Sequence, residues 1–170
     1  MPLDTLSQST LKTPLGNMVA IASINGLATL SFEEEETFFA TKVNRYAHYK
    51  FTREHQQILK ETKNWLDAYF ANLTTLPSLP PLDLQGTDFL VRAWKALLKV
   101  PFGKTATYGT LAKKIGSPKA VRAMGRAMGQ NSIAIIVPCH RIIGANGSLT
   151  GYSAGLSRKE WLLKHEGLLL

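Results

Sequence analysis

One cysteine, Cys139, occurs in 170 residues, which excludes an intramolecular disulfide framework and fits a reducing compartment. No stretch approaches the roughly 18 apolar residues of a membrane span. The first fifteen residues carry neither a basic nor an apolar segment of the kind that directs secretion. A soluble cytoplasmic protein with no membrane partner is expected, associated with the nucleoid if the source is prokaryotic. Residues 1 to 80 hold no cysteine and only two histidines, His48 and His55, too few ligands for a closed four-ligand zinc site. No metal and no cofactor are expected. Acidic residues are scarce in one half only. Residues 1 to 85 hold 7 Lys+Arg against 9 Asp+Glu, whereas residues 86 to 170 hold 13 against 3. The net charge of +8 therefore belongs to the C-terminal half, an electrostatic footprint for a polyanion such as nucleic acid.

Hydrophobic content of 45% supports a real core, in one domain or two small ones. Small and β-branched apolar residues from Gly16 to Phe32, interrupted by Asn25-Gly26, predict two antiparallel strands joined by a type I′ turn. Glu33 to Glu36 reads as a solvated turn or helix start. From Thr52, a candidate N-cap, the apolar period becomes helical: Ile58, Leu59, Thr62, Trp65, Leu66, Tyr69 and Phe70 share one stripe, and this helix should cover the hairpin. Pro77, Pro80 and Pro81 then exclude helix and mark a linker. The expected organisation is an N-terminal α/β domain over 1–76, a linker and short strand over 77–86, and a mainly α domain over 87–170.

In the second half, Thr87 caps a predicted helix with Asp88 in its first turn and Leu90, Val91, Trp94, Leu97 and Leu98 inward. Thr107 caps a short helix ended by Gly116 at C′, and Ser117-Pro118 reads as N-cap and N1 of the next. Two short helices joined by a Gly-containing turn make a helix-turn-helix. On its second helix Val121, Met124 and Met128 share one face. Lys119, Arg122 and Arg126 share another, suited to phosphates. Ala123, Gly125 and Ala127 keep the helix thin. The last helix, from Ser157 to Gly167, should turn Trp161, Leu162 and Leu163 inward. Its final turn carries Glu166, where a carboxylate opposes the helix dipole by about 0.3 to 1 kcal/mol.

The chemistry concentrates in Ile135-Ile136-Val137-Pro138-Cys139-His140-Arg141-Ile142-Ile143. A thiolate is the nucleophilic form of cysteine, and adjacent cations favour it; His140 and Arg141 supply that environment. Pro138 biases Val137 toward extended backbone, so the thiol is expected at the end of a strand-like segment. A lone cysteine in an apolar run can equally be an inert core residue.

Pro138-Cys139-His140-Arg141, followed by Gly151-Tyr152-Ser153, Lys159-Glu160-Trp161-Leu162-Leu163 and His165-Glu166-Gly167, closely resembles the O6-alkylguanine-DNA alkyltransferases from about Leu82 to Gly167, with a weaker echo upstream. The resemblance implies a ribonuclease-H-like N-terminal domain without nuclease chemistry, and a Leu82–Leu84 strand opening the C-terminal domain. It also implies single-turnover transfer of the alkyl group from O6-alkylguanine, and from O4-alkylthymine, in double-stranded DNA to Cys139, by a monomer that flips the base. Mapped by the same resemblance, Cys139, His140 and Glu166 form the proton relay through water, and Asn131 is the hinge beside it. Tyr108 contacts the phosphate and the flipped guanine. Met128, Ile142, Tyr152, Ser153 and Ala154 build the base pocket, where Ala154 replaces a common glycine. Arg122 fills the gap in the duplex, on a helix entering the minor groove with Lys119, Ala123 and Arg126. Three alternatives remain at this level: a Cys-His hydrolase, a protein that marks alkylated guanine without repair (a class lacking the cysteine), and a helix-turn-helix regulator.

Overall fold

The computed structural model describes residues 4–34 and 44–168. The chain divides into two compact units, Met1–Leu84 and Gln85–Leu170. In the first, β1 (Thr5–Thr13), β2 (Gly16–Ser23), β3 (Gly26–Phe32) and β4 (Lys50–Phe51) form one sheet in the order β3-β2-β1-β4. β1 and β2 pair antiparallel from Ser7↔Ala22 to Thr13↔Gly16, and β4 runs parallel to β1. β1 is additional to the two strands expected. Its Ser, Gln, Thr and Lys residues give little hydrophobic alternation, so its place is set by pairing with β2. α1 (Gln56–Phe70) buries Leu59, Thr62, Trp65, Leu66 and Tyr69 and packs on β1 and β2, as the helical stripe predicts. It ends in a left-handed Asn72 (φ 57) with Leu73 N–H donating to the Ala68 carbonyl at 3.2 Å, a glycine-type C-cap made by asparagine.

Thr52 is not the cap of α1: its hydroxyl accepts from Glu54 N–H at 3.3 Å, and the cap position is His55, without a side-chain bond. Asn25-Gly26 is not the centre of a type I′ turn. Ser23 pairs with Gly26, leaving Ile24 and Asn25 as the loop, and neither has the positive φ that type I′ requires. Gly26 answers a different demand: a Cβ there would lie 2.5 Å from the Pro81 carbonyl oxygen. Leu27 N–H donates to Pro81 O at 2.7 Å, Asp83 N–H to Leu27 O at 2.9 Å, and the Ser23 hydroxyl to Asp83 Oδ2 at 2.6 Å. Leu82–Leu84 thus closes the first unit instead of opening the second. Glu33 and Glu34 form an exposed turn, with Glu33 accepting from Asn17; Glu35 and Glu36 lie outside the described residues.

The second unit comprises α2 (Asp88–Leu97), β5 (Ala106–Thr107), α3 (Tyr108–Lys114), α4 (Val121–Gly129), β6 (Ile142–Ile143) and α5 (Leu156–His165). Thr87 and Thr107 cap α2 and α3 as predicted, accepting from Leu90 and Thr110 N–H, and Gly116 takes φ 72 after α3. On α2 the buried stripe is Ala93, Trp94, Ala96 and Leu97, while Leu90, Val91 and Leu98 are half-buried. The Trp94 indole donates to the Ala127 carbonyl at 2.9 Å, tying α2 to α4. β5 and β6 pair in parallel, Ala106↔Ile142 and Thr107↔Ile143, which sets the start of α3 beside the end of the Cys-His-Arg segment.

α4 begins later than its sequence suggests. Ser117 and Pro118 form a turn closed by Ala120 N–H to Ser117 O at 2.9 Å, and the helix starts at Val121 without a side-chain cap. Lys119 therefore sits exposed in the turn, off the helix, while Arg122 and Arg126 are exposed on it. Val121 is 43% exposed, and Ala127 joins Met124 and Met128 on the buried side. α5 inverts another expectation: Trp161 is 37% exposed and stacks on His165 at 4.9 Å, whereas Lys159 is fully buried beside Leu162 and Leu163.

Candidate active site

The approach to Cys139 is a pair of three-residue turns, not the strand-like segment expected. Ile136 N–H donates to Ala134 O at 2.8 Å across Ile135, whose φ is 69, and Cys139 N–H donates to Val137 O at 2.8 Å across Pro138, at φ −85 and ψ 62. The second is the common form of such a turn; the first is the rare, strained form. A buried β-branched residue at positive φ costs about 1 to 3 kcal/mol and persists only where its surroundings over-determine it. Asn131 supplies that constraint. Its Oδ1 accepts from Ile133 N–H at 3.0 Å, and its Nδ2 donates to the Val137 carbonyl at 2.9 Å and to Cys139 Sγ at 3.2 Å. Asn131 directly follows Gln130, the C-cap of α4, so one side chain joins the end of that helix to the thiol.

Cys139, His140 and Arg141 then form one 3₁₀ turn, all buried. His140 Nε2 meets Glu166 Oε1 at 2.6 Å, and Arg141 clamps the same carboxylate, Nε to Oε2 at 2.8 Å and Nη2 to Oε1 at 3.0 Å. Gly103 N–H adds a fourth donor at 3.1 Å. Arg141 Nη1 donates to the Val100 carbonyl, and the guanidinium lies over the Phe102 ring at 5.9 Å. Arg141 therefore serves the glutamate; as a direct cation for the thiol it is occupied elsewhere. Glu166, at the C-cap of α5, is held at the wrong end of the helix dipole by these four donors.

The charge states follow. Burial alone would raise the Glu166 pKa, but the hydrogen bonds from His140 and Arg141 and their charges outweigh it and lower it to about 2, so the carboxylate is ionised at neutral pH. Burial, the largest influence on His140, lowers its pKa against the opposing hydrogen bond from Glu166. A neutral imidazole donating Nε2–H to an ionised carboxylate must carry its lone pair on Nδ1. That nitrogen is buried with no hydrogen-bond partner among the described residues, and it is the basic atom of the site.

Lys159 is a member of the site that sequence reasoning missed. Its ammonium donates to the carbonyls of Ile142 and Thr150, bracing the strand after Cys139 against the segment before Gly151. Burial lowers its pKa, opposed by the charge of Cys139, which raises it. A lysine amid helical apolar residues reads as a surface residue from sequence, since the carbonyls that hold it come from the backbone.

A cavity of about 330 Å³ opens at the thiol, lined by Tyr108, Gly125, Met128, Gly129, Cys139, Gly151, Tyr152 and Ser153. Of the candidate pocket residues, Met128, Tyr152 and Ser153 reach it. Ile142 and Ala154 do not: Ile142 is fully buried in β6, and buried Ala154 turns its carbonyl to the Arg158 guanidinium at 3.3 Å. The extra methyl of Ala154 thus has no purchase on the cavity. The three lining glycines have a common property. A Cβ would meet nothing within 4 Å at Gly129 or Gly151, and only the Tyr108 ring at 3.9 Å at Gly125. None has a φ between +20° and +160°, so neither packing nor backbone conformation demands glycine there. Tyr108 is fixed by a 2.7 Å bond between its hydroxyl and that of Thr150. Among the described residues no group of three or more His, Cys, Asp or Glu is placed to hold a metal, and no helix is long and apolar enough to cross a membrane.

The helical unit thus carries one cysteine on a cavity wall, next in sequence to a buried histidine-glutamate pair, an arrangement suited to covalent chemistry on a bound group. Comparison specifies the class. Residues 6–84 match the profile described as 6-O-methylguanine DNA methyltransferase, ribonuclease-like domain, and residues 88–168 that of the DNA binding domain of the same methyltransferase. The chain is 51% identical over 118 residues, 67% of its length and 72% of the relative's, to the methylated-DNA–protein-cysteine methyltransferase of Methanosarcina acetivorans. To that of Methanosarcina barkeri it is 39% identical over 160 residues, covering 92% of this chain and 94% of the relative. The solved structure of the Mycobacterium tuberculosis O6-methylguanine methyltransferase superposes with a TM-score of 0.80 at 41% identity, over 95% of this chain and 92% of that one. Mycobacterium tuberculosis OGT in complex with DNA gives 0.79 at 40% over the same shares. The chain belongs to the 6-O-methylguanine-DNA methyltransferase family.

Proposed function

We infer that this protein repairs DNA by direct, irreversible transfer of the alkyl group from O6-alkylguanine, and from O4-alkylthymine, to Cys139. The observation that carries the reading is the thiol on the wall of a base-sized cavity, next in sequence to a buried histidine whose Nε2–H is committed to Glu166 and whose Nδ1 carries a lone pair. The thiol proton passes through water to His140 Nδ1. The imidazolium so formed is stabilised by the Glu166 carboxylate, and the Lys159 ammonium favours the thiolate. Sulfur attacks the alkyl carbon, the carbon–O6 bond breaks, and the departing guanine anion takes a proton from solvent, balanced by the one that the thiol passed to His140. Donors from Tyr108 and the Tyr152–Ser153 wall stabilise the negative charge that develops on the base.

α3 and α4 act as a helix-turn-helix, with the exposed Arg122 and Arg126 of α4 and Lys119 of the preceding turn on the DNA, Ala123 and Gly125 letting the duplex approach, and Arg122 inserted where the flipped base leaves. The first unit takes a ribonuclease-H-like fold, a reading supported by its match to a ribonuclease-like domain, and the protein works as a cytoplasmic monomer. Replacing Arg122 with alanine should slow transfer from duplex DNA about tenfold or more and leave transfer from single strands within about threefold, because a gap exists only in a duplex. Single-turnover rates on both substrates check this. Equal losses would reduce Arg122 to a phosphate contact.

The unforced glycines give a second test. Gly129→Ala should keep or raise the melting temperature, since alanine exceeds glycine by up to about 1 kcal/mol in a helix, yet slow transfer of a benzyl group about tenfold more than that of a methyl group, because overfilling a fitted pocket costs about 1 to 3 kcal/mol. Competition between the two adducts on one protein sample reads the ratio directly.

A further inference from the structure

The Tyr108–Thr150 contact has no part in the relay, and Thr150 does not line the cavity. It nevertheless stands where three elements meet. Its hydroxyl lies 2.7 Å from that of Tyr108, the first residue of α3. Its carbonyl accepts from the buried Lys159 ammonium at 2.9 Å, and that ammonium also holds the Ile142 carbonyl. The next residue, Gly151, lines the cavity with Tyr152 and Ser153. Thr150 thus links the tyrosine on one wall to the loop forming another, and through Lys159 to the backbone just after the thiol.

The polarity of the contact matters to the reaction. A phenol has one proton. If Tyr108 donated it to Thr150, only lone pairs would face the cavity, opposing the negative charge that grows on the departing base. If Thr150 donates instead, the Tyr108 proton stays free for that base. A threonine hydroxyl can rotate to either role, but only the second is stabilised as the charge develops. A hydrophobic side chain in place of Thr150 would leave the tyrosine ring in position and its hydroxyl unanchored.

We propose that Thr150 is a positioning residue for the transfer reaction: it holds the Tyr108 hydroxyl at the cavity wall and, by donating to it, leaves the tyrosine proton free for the departing base. The proposal rests on the alkyl-transfer reading above. Its test is a double-mutant cycle on the full chain, with methylguanine duplex DNA and single-turnover kinetics resolved into half-saturating concentration and maximal rate. Thr150→Val, which keeps the shape and the backbone contact to Lys159, should lower the maximal rate about fivefold, the scale of one neutral hydrogen bond, with half-saturation unchanged. Thr150→Ser should restore the rate to within about twofold, because it returns the hydroxyl. In a Tyr108→Phe background Thr150→Val should add nothing, since the two residues act through one bond. Thermal melting of each variant identifies any that is measured unfolded, and Thr150→Ser with the Tyr108→Phe background then decides. A full effect of Thr150→Val in the absence of the tyrosine hydroxyl, a wild-type rate in Thr150→Val, or failure of Thr150→Ser to rescue would overturn the proposal. If the wild-type protein took up no alkyl group, the transfer reading itself would fall, an outcome distinct from all three.

Discussion

Glu166→Gln should slow transfer by about 10²- to 10⁴-fold, the range for loss of general-base assistance, and should also destabilise the fold by about 3 to 5 kcal/mol, the cost of leaving a buried charge without its partner. Both effects have one origin. Glutamine keeps an oxygen for His140 but has no charge for the imidazolium that forms when the thiol gives up its proton. It also leaves the 7%-exposed Arg141 guanidinium facing a neutral group. Single-turnover rates taken well below the variant's melting temperature separate the chemical loss from the structural one. A variant with wild-type stability and rate would remove Glu166 from the account.

The same carboxylate sets the pH dependence of stability. Its pKa is lowered from 4.5 to about 2 in the folded state, so between those values the unfolded chain binds more protons. The contribution, on the order of 3 kcal/mol, is fully present above about pH 4.5 and is lost as pH falls toward 2. His140, also lowered, works in the same direction: below its ordinary value near 6.5 the unfolded chain takes a proton that the folded chain refuses, and stability falls with falling pH. Melting temperatures should therefore drop in two acid stages, the lower of which disappears in Glu166→Gln.

How far these features were legible beforehand depends on what each rests upon. Elements with their own periodicity and caps were readable, such as α1 with its apolar stripe and α2 and α3 with Thr87 and Thr107 at their starts. β1 was not, because its pairing with β2, and not its composition, holds it in the sheet. Turn chemistry failed where a distant segment overrode it: Gly26 is required by Pro81, 55 positions away in the chain, a contact no local pattern encodes. The apolar run before Cys139 looked extended because Ile and Val favour strands, yet the three bonds of Asn131 fold it into tight turns. Pro138-Cys139-His140-Arg141 pointed to the proposed nucleophile, and the misplaced charge of Glu166 at a helix C-terminus pointed to a residue held there by other contacts, four of them from Gly103, His140 and Arg141. Lys159 and Thr150 carried no such mark. Their partners are a backbone carbonyl pair and a tyrosine hydroxyl that only the folded chain brings near.

Cys139→Ala should abolish transfer altogether, the largest effect of any single substitution in this chain. No other cysteine exists to substitute for it, and water activated by His140 would release alcohol instead of alkylating the protein. For the unaltered chain the sulfur becomes a thioether with no good leaving group, so nothing in the sequence regenerates the thiol. The added carbon should also displace the Asn131 amide from Cys139 Sγ, a 3.2 Å contact, and so remove one of the bonds that hold Ile135 in its strained conformation. The alkylated protein should accordingly melt several degrees lower, since about 1 kcal/mol shifts the midpoint by roughly 2 to 4 °C in a chain of this size.

The most direct test of the central claim is the mass of the intact protein after incubation with an excess of duplex DNA containing O6-methylguanine, followed by peptide mapping. One added methyl group per molecule is expected, on Cys139, with one guanine restored for each protein consumed and no added mass in Cys139→Ala. Several guanines restored per protein, or a methyl group on any other residue, would contradict it.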